Sequence, residues 1–348
     1  MPVHPQAADY GPVRVVMPAP SDPRYAHLGW PKMVLARDGS VYLAYLTASG
    51  HTWGGCPAVG RSSDGGRSFS TPVVLADYYP GETYVHSGNL AIGEAEDGSI
   101  VILAMAMTEG SRRSDIFGWR QVGAGSGWDP VDTRSLTGSV YGNLVHLPGH
   151  GLAVTGHCRE GAALGRSGLW LALSRDCGRS WSEPWLITGE PLVEPAFCLA
   201  QGRIIGLAKG RTVNGYRQFV SDDAGVTWQA GDSGIGARVN MTSPSVFTDP
   251  GHPSRLFAFE TQRQQLLQPD SELPGYIALW TAEATALHWN RVGTVATFHT
   301  GESPPDGAER PDYGYPWMVQ TAVDTWFCVF YCGRNTGSNP LWGLELHL

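Results

Sequence analysis

The chain has 348 residues, a formal charge of −8 at pH 7, and abundant glycine (45), proline (25) and tryptophan (13). This is the composition of a turn-rich, all-β protein. The acidic balance excludes general affinity for nucleic acid, and no apolar run reaches the roughly 20 residues that cross a bilayer.

The opening Met1-Pro2-Val3-His4-Pro5-Gln6 has neither the basic nor the apolar region of a secretory signal. The expectation is a cytoplasmic protein, or a secreted one whose signal has been removed. The first predicted strand is Val13-Arg14-Val15-Val16-Met17. After it comes a repeated unit: an apolar strand, a tight turn and a second apolar strand. The turns are Asp38-Gly39, Asp97-Gly98, Gly149-His150-Gly151, Gln201-Gly202, Pro253-Ser254 and Asp324-Thr325, recurring at intervals of roughly 58 residues. Each unit continues through a longer loop into two more strands, and four antiparallel strands of this kind make one propeller blade. Six units imply a six-bladed β-propeller of four-stranded antiparallel blades. The sixth unit runs out at Leu348, so Val13–Met17 is expected to supply its last strand and close the ring. No linker or low-complexity segment interrupts the chain, so residues 1–348 read as a single propeller domain.

A second repeat lies between the third and fourth strands of three units. It reads Ser62-Ser63-Asp64-Gly65-Gly66-Arg67-Ser68-Phe69, then Ser174-Arg175-Asp176-Cys177-Gly178-Arg179-Ser180-Trp181, then Ser221-Asp222-Asp223-Ala224-Gly225-Val226-Thr227-Trp228. All three fit Ser-x-Asp-x-Gly-x-Ser/Thr-aromatic. The Asp accepts hydrogen bonds from its own turn and the Gly supplies a positive φ; the aromatic is expected to tuck under a neighbouring sheet. Worn copies stand at Gly123–Trp128 and Thr281–Trp289. The six cysteines (Cys56, Cys158, Cys177, Cys198, Cys328 and Cys332) have no metal-ligand spacing and read as buried thiols, which favours a reducing compartment. No metal or cofactor motif is present, so neither is expected.

The tight turns and the Asp phrases share one face of such a propeller. The loops leading into each first strand, and those following each second strand, share the other, where loops can vary without disturbing strands. The first set contains Lys32 after Trp30-Pro31, His86, Tyr141, Glu194-Pro195, the segment 240–245, and Asp312-Tyr313-Gly314-Tyr315. The second set contains His51 with Trp53, Arg112 with Arg113, His157, Lys209 with Arg211, and Arg263. Basic residues gathered on one face of an acidic chain point to an anionic group in the ligand. Trp and Tyr among them suit stacking on sugar rings. Glu194, beside the apolar run Pro195-Ala196-Phe197-Cys198-Leu199, needs a partner for its charge.

The Asp phrase is an Asp box, and with it the chain resembles the sialidase superfamily, six-bladed propellers with BNR repeats. The resemblance implies a Tyr–Glu nucleophile pair, an Asp acid/base and three arginines on a substrate carboxylate. Glu194 matches the family's Glu, and Tyr315 its Tyr, with Tyr313 as second choice. Lys209, with Arg211 close by, stands at the second arginine, and Arg263 at the third. The first arginine, in the family's Arg-Ile-Pro, is missing from Gly29-Trp30-Pro31-Lys32. The acid/base Asp is missing too, and His51 is the proton carrier its loop offers.

The resulting expectation is a sialidase-like glycoside hydrolase acting on an acidic or unusual glycan. Tyr315, Glu194 and His51 are its catalytic candidates. Lys32, Trp53, His86, Arg112, Tyr141, Lys209, Arg211, Arg263, Asp312 and Tyr313 are its substrate-binding candidates. A uronate lyase using His51, His86, Tyr141 and Arg112, and a non-catalytic glycan-binding propeller, are the alternatives. The expected partner is a carbohydrate, with no nucleic acid and no membrane.

Overall fold

A computed structural model describes residues 4–7, 9–51, 54–111, 114–123, 125, 127–158, 167–210, 215–236, 243–263, 275–299 and 311–348. Its strands form six separate sheets of four to five strands, arranged as a six-bladed β-propeller. The blades begin with strands His27–Leu35, His86–Glu94, Ser139–Val140, Leu192–Ala200, Ser245–Thr248 and Pro311–Ala322. First strands of successive blades touch one another around the axis, except that blade three meets the first strand of blade four through its segment Gly142–Asn143. The second strand of blade one, Val41–Ala48, is buried at every position. A strand flanked by blades on both sides must be apolar on both faces, and Val-Tyr-Leu-Ala-Tyr-Leu-Thr-Ala supplies that.

The six tight turns fall between first and second strands, as expected. In blade four Gln201 and Gly202 take φ of 51° and 79°, the pair of positive values that a two-residue turn needs to follow the strand twist. The ring closes through Arg14–Met17, which pairs antiparallel with Leu341–His347 in blade six. One strand goes beyond the sequence reading: His4–Ala7 pairs with Asn290–His299 and gives blade five a fifth strand. Blade three also departs from the pattern. Its inner strand is broken, so that Gly142–Asn143 pairs in parallel with His86–Glu94 of blade two.

The three Ser-x-Asp-x-Gly phrases build the same turn. In the first, Ser62 Oγ donates to Asp64 Oδ1 (2.7 Å) and accepts from the Gly66 amide (2.9 Å). The Ser68 amide and hydroxyl then donate to the two oxygens of Asp64 (2.9 and 2.6 Å). The second and third copies repeat these bonds around Asp176 and Asp223. Each glycine has a φ between 83° and 90°. Each also packs on the preceding blade: a Cβ on Gly66 would lie 2.3 Å from Phe327, and one on Gly178 2.5 Å from Val101. The phrase thus joins adjacent blades as well as turning the chain. Its aromatic is less uniform than expected. Phe69 meets Phe327 of blade six at 6.2 Å, whereas Trp228 packs on Phe197 of its own blade at 5.3 Å. All six cysteines are free thiols, and Cys177 alone is not fully buried.

Candidate functional site

Three blades deliver a side chain by the same local device. Trp30, Glu194 and Tyr315 each precede a proline and each have a positive φ, of 50°, 57° and 53°. At each place the ladder to the second strand skips two residues, between Gly29 and Lys32, Val193 and Ala196, and Gly314 and Trp317. A proline has no amide hydrogen to give a ladder, so it sits at a bulge, and the bulge re-aims the residue beside it. A left-handed non-glycine residue costs about 1–3 kcal/mol and marks places held by their surroundings, often functional ones. Three copies around one axis make this a built feature.

Two of the three meet. Tyr315 Oη donates to Glu194 Oε1 at 3.1 Å, and Ser243 Oγ donates to Oε2. The Glu194 amide donates to Nδ1 of His157 at 3.2 Å. Burial alone would raise the Glu194 carboxyl, but the charge of Lys209 and the bonds from Ser243 and Tyr315 outweigh it and hold it below the usual range. Burial and the Glu194 charge push the Tyr315 phenol well up. The resting pair is therefore a carboxylate accepting from a neutral phenol.

Beneath the pair lies Lys32, fully buried. Its ammonium sits 4.4 Å from the centre of the Tyr141 ring, 4.6 Å from Trp317 and 5.4 Å from Tyr315, with one bond to the Pro31 carbonyl at 3.3 Å. Burial pulls its pKa down to about 7, against a smaller upward pull from Glu194. Below an ordinary lysine pKa of about 10.4 the unfolded chain binds this proton, and the folded chain does so only below about 7. Folding stability from this group is therefore lost as pH falls from about 10 to 7. Lys32→Met is expected to be more stable than wild type at pH 7 by on the order of a few kcal/mol, with the gap vanishing near pH 10. Urea midpoints at the two pH values check this, and equal gaps at both would show a charged Lys32 in the fold.

A second cluster surrounds Asp312, whose side chain is 4% exposed. Its Oδ1 accepts from Tyr331 Oη (2.7 Å) and Arg263 Nη2 (3.1 Å). Its Oδ2 lies 2.6 Å from His51 Nδ1 and 3.6 Å from His27 Nε2. Burial opposes its charge, but the two histidines and Arg263 hold its pKa far below the carboxylate range. Arg263 also donates through Nε to the Tyr313 carbonyl (2.7 Å) and through Nη2 to Tyr331 Oη (2.6 Å). The clusters adjoin through Trp30, whose ring lies 4.8 Å from His51 and 6.0 Å from Tyr315. Ligand atoms of His27, His51 and Asp312 all lie within 4.8 Å of one another, which could hold a divalent ion. The 2.6 Å His51–Asp312 separation is a hydrogen bond, however, and would have to open for an ion to enter.

The other candidates are placed as follows. Lys209 is half-buried on the second strand of blade four, where its charge reaches Glu194. Tyr141 is buried and donates to the Pro244 carbonyl at 3.2 Å. Tyr313 is buried, stacked on Phe298 at 4.2 Å, and donates to the Gln262 carbonyl. His86 is half-buried, with its pKa lowered by burial. Trp53, Arg112 and Arg211 lie outside the described residues. Sequence reasoning passed over Trp30, His27 and Tyr331. For Trp30 the signal was available: a proline follows it at the same blade position as Pro195 and Pro316. Tyr331 lies in the buried strand Thr325–Arg334 and reads as core.

Fold and neighbours together define a six-bladed propeller of the sialidase fold. No protein-family profile matches the sequence, and no curated protein does; solved structures do. A protein of unknown function from Dyadobacter fermentans superposes with a TM-score of 0.70 at 15% identity, over 97% of this chain and 99% of that one. Phage phi92 endosialidase gives 0.70 at 10% identity, over 97% and 69%. Trypanosoma rangeli sialidase in complex with sialic acid gives 0.66 at 13%, over 99% and 59%. This chain therefore spans about three-fifths of the trypanosomal enzyme. At these identities the likeness is one of fold.

Proposed function

We propose that residues 1–348, as one propeller domain, form a retaining glycoside hydrolase acting on an acidic or otherwise unusual sugar. The observation that carries this reading is the 3.1 Å hydrogen bond from Tyr315 to Glu194. Tyr315 attacks the anomeric carbon while its proton passes to Glu194. His51 protonates the departing glycosidic oxygen. In the second half water attacks the same carbon, His51 takes a water proton, and Glu194 returns its proton to the released tyrosine oxygen.

The anion grip differs from the one the family resemblance implies. The segment Gly29-Trp30-Pro31-Lys32 carries no arginine, and a Cβ on Gly29 would meet nothing within 4 Å. Arg263 is already paired with Asp312. Lys209 supplies charge near Glu194 but is no bidentate equivalent of arginine. Ordinary sialosides are therefore not the expected substrates.

The test is a panel of 4-methylumbelliferyl glycosides of sialic, ketodeoxy and uronic acids, run beside uronate polymers scanned in the ultraviolet. Fluorophore release by wild type supports hydrolysis. An ultraviolet-absorbing unsaturated product would assign the site to a lyase. Saturable binding on a glycan array without any product would make it a lectin-like propeller.

A further inference from the structure

Resting on the reading of His51 as proton carrier, we propose that Asp312 is its positioning residue. The proton would then be exchanged at Nε2 of a His–Asp unit instead of at a carboxylic acid. Asp312 is 4% exposed, which keeps it from a sugar. Both oxygens are engaged inward, Oδ1 by Tyr331 and Arg263 and Oδ2 by His51 and His27.

The two histidines on Oδ2 are not equivalent. The His27 side chain is 2% exposed and that of His51 31%, so of the two His51 is the one that reaches solvent. It is held from three sides. Its Nδ1 lies 2.6 Å from Asp312, its ring leans on Trp30 at 4.8 Å, and its amide donates to the Asn335 carbonyl at 2.8 Å. The neighbouring Gly50 forms a bridge to Thr336. The loop from blade one is thereby clamped to blade six, the blade that carries Asp312 and Tyr315.

A carboxylate on Nδ1 fixes the tautomer: the neutral ring keeps its hydrogen on Nδ1 and presents the Nε2 lone pair outward. The protonated ring donates from Nε2 to the leaving oxygen as the glycosidic bond breaks. The neutral ring then takes a proton from water as the water oxygen bonds to the anomeric carbon and the Tyr315–sugar bond breaks. The Nδ1 hydrogen stays on Nδ1 and directed at Asp312 throughout, and the carboxylate stays ionised beside the histidines and Arg263.

Two measurements test this. The first is a two-bond 1H–15N spectrum of the full chain labelled at histidine, with His51 assigned by its loss in His51→Gln. Neutral His51 is expected to carry its hydrogen on Nδ1 in the wild type and to move toward Nε2 in Asp312→Asn. A wild-type hydrogen on Nε2 would overturn the proposal, and that spectrum suffices should the variant not fold. It needs no substrate, so it stands apart from the fate of the hydrolase reading. The second compares leaving groups on whichever glycoside the panel identifies. Asp312→Asn is expected to lose about 10²-fold or more on alkyl glycosides, which need the proton. On dinitrophenyl glycosides, which do not, the loss should be under about tenfold. Equal losses on both would mark Asp312 as merely structural.

Discussion

Tyr315→Phe and Glu194→Gln are each expected to lower kcat by on the order of 10³-fold or more, with KM moved far less. The nucleophile and its base act as one unit. Without the phenol oxygen no bond to the anomeric carbon can form, and without the carboxylate there is no base at 3.1 Å to take the phenol proton. Because the two share a step, the double variant should be scarcely worse than either single one. Folding should survive both changes. A phenylalanine at 315 keeps the ring contacts to Trp30, Tyr141 and Tyr331, at 6.0, 6.4 and 5.9 Å. A glutamine at 194 keeps the same shape: its carbonyl oxygen accepts from one of Tyr315 and Ser243, and its amide nitrogen can donate to the other hydroxyl. Thermal melts within a few degrees of wild type, combined with lost turnover, are the expected pattern. Near-normal turnover in both variants would remove the Tyr–Glu mechanism.

The pair was legible because its residues stand where a repeat changes character. Six turns and three Asp phrases recur with enough spacing to place every blade, since each rests on a backbone demand that few residues satisfy. Glu194 and Tyr315 then appear at the starts of blades four and six, each before a proline. The roles of their neighbours were harder to read. Lys32 is a cation in a loop-adjacent segment, which by default means solvent. Its burial among Tyr141, Trp317 and Tyr315 depends on three blades at once. Asp312 and Arg263 looked like separate ligand contacts because nothing in a sequence says that residues 49 positions apart share an ion pair. Tyr331 and His27, which complete that cluster, sit in strands that are otherwise mostly core. The strand His4–Ala7 pairs across almost the whole chain, and its Pro-containing sequence has no alternation to announce it.

Arg263→Met is expected to cost about 3–5 kcal/mol, the usual price of stranding one member of a buried ion pair. Asp312 is 4% exposed, and the Arg263 guanidinium meets its Oδ1. The variant also drops donors to the Tyr313 carbonyl and to Tyr331, so Tm should fall by several degrees at pH 7. The sign of the pH dependence follows from the depressed carboxyl of Asp312. Its contribution to wild-type stability is present above the unfolded carboxylate pKa of about 3.9 and lost as pH falls below it. The gap between wild type and variant should therefore be widest near neutrality and narrow in acid. Replacing both partners, as Arg263→Met with Asp312→Leu, removes the stranded charge and should recover much of the loss. A double variant no more stable than Arg263→Met alone would show that the lost bonds to Tyr313 and Tyr331, and not the charge on Asp312, set the cost. Activity separates the two variants further: the stabilised double variant still lacks the carboxylate that holds His51, so recovered stability should not bring recovered turnover.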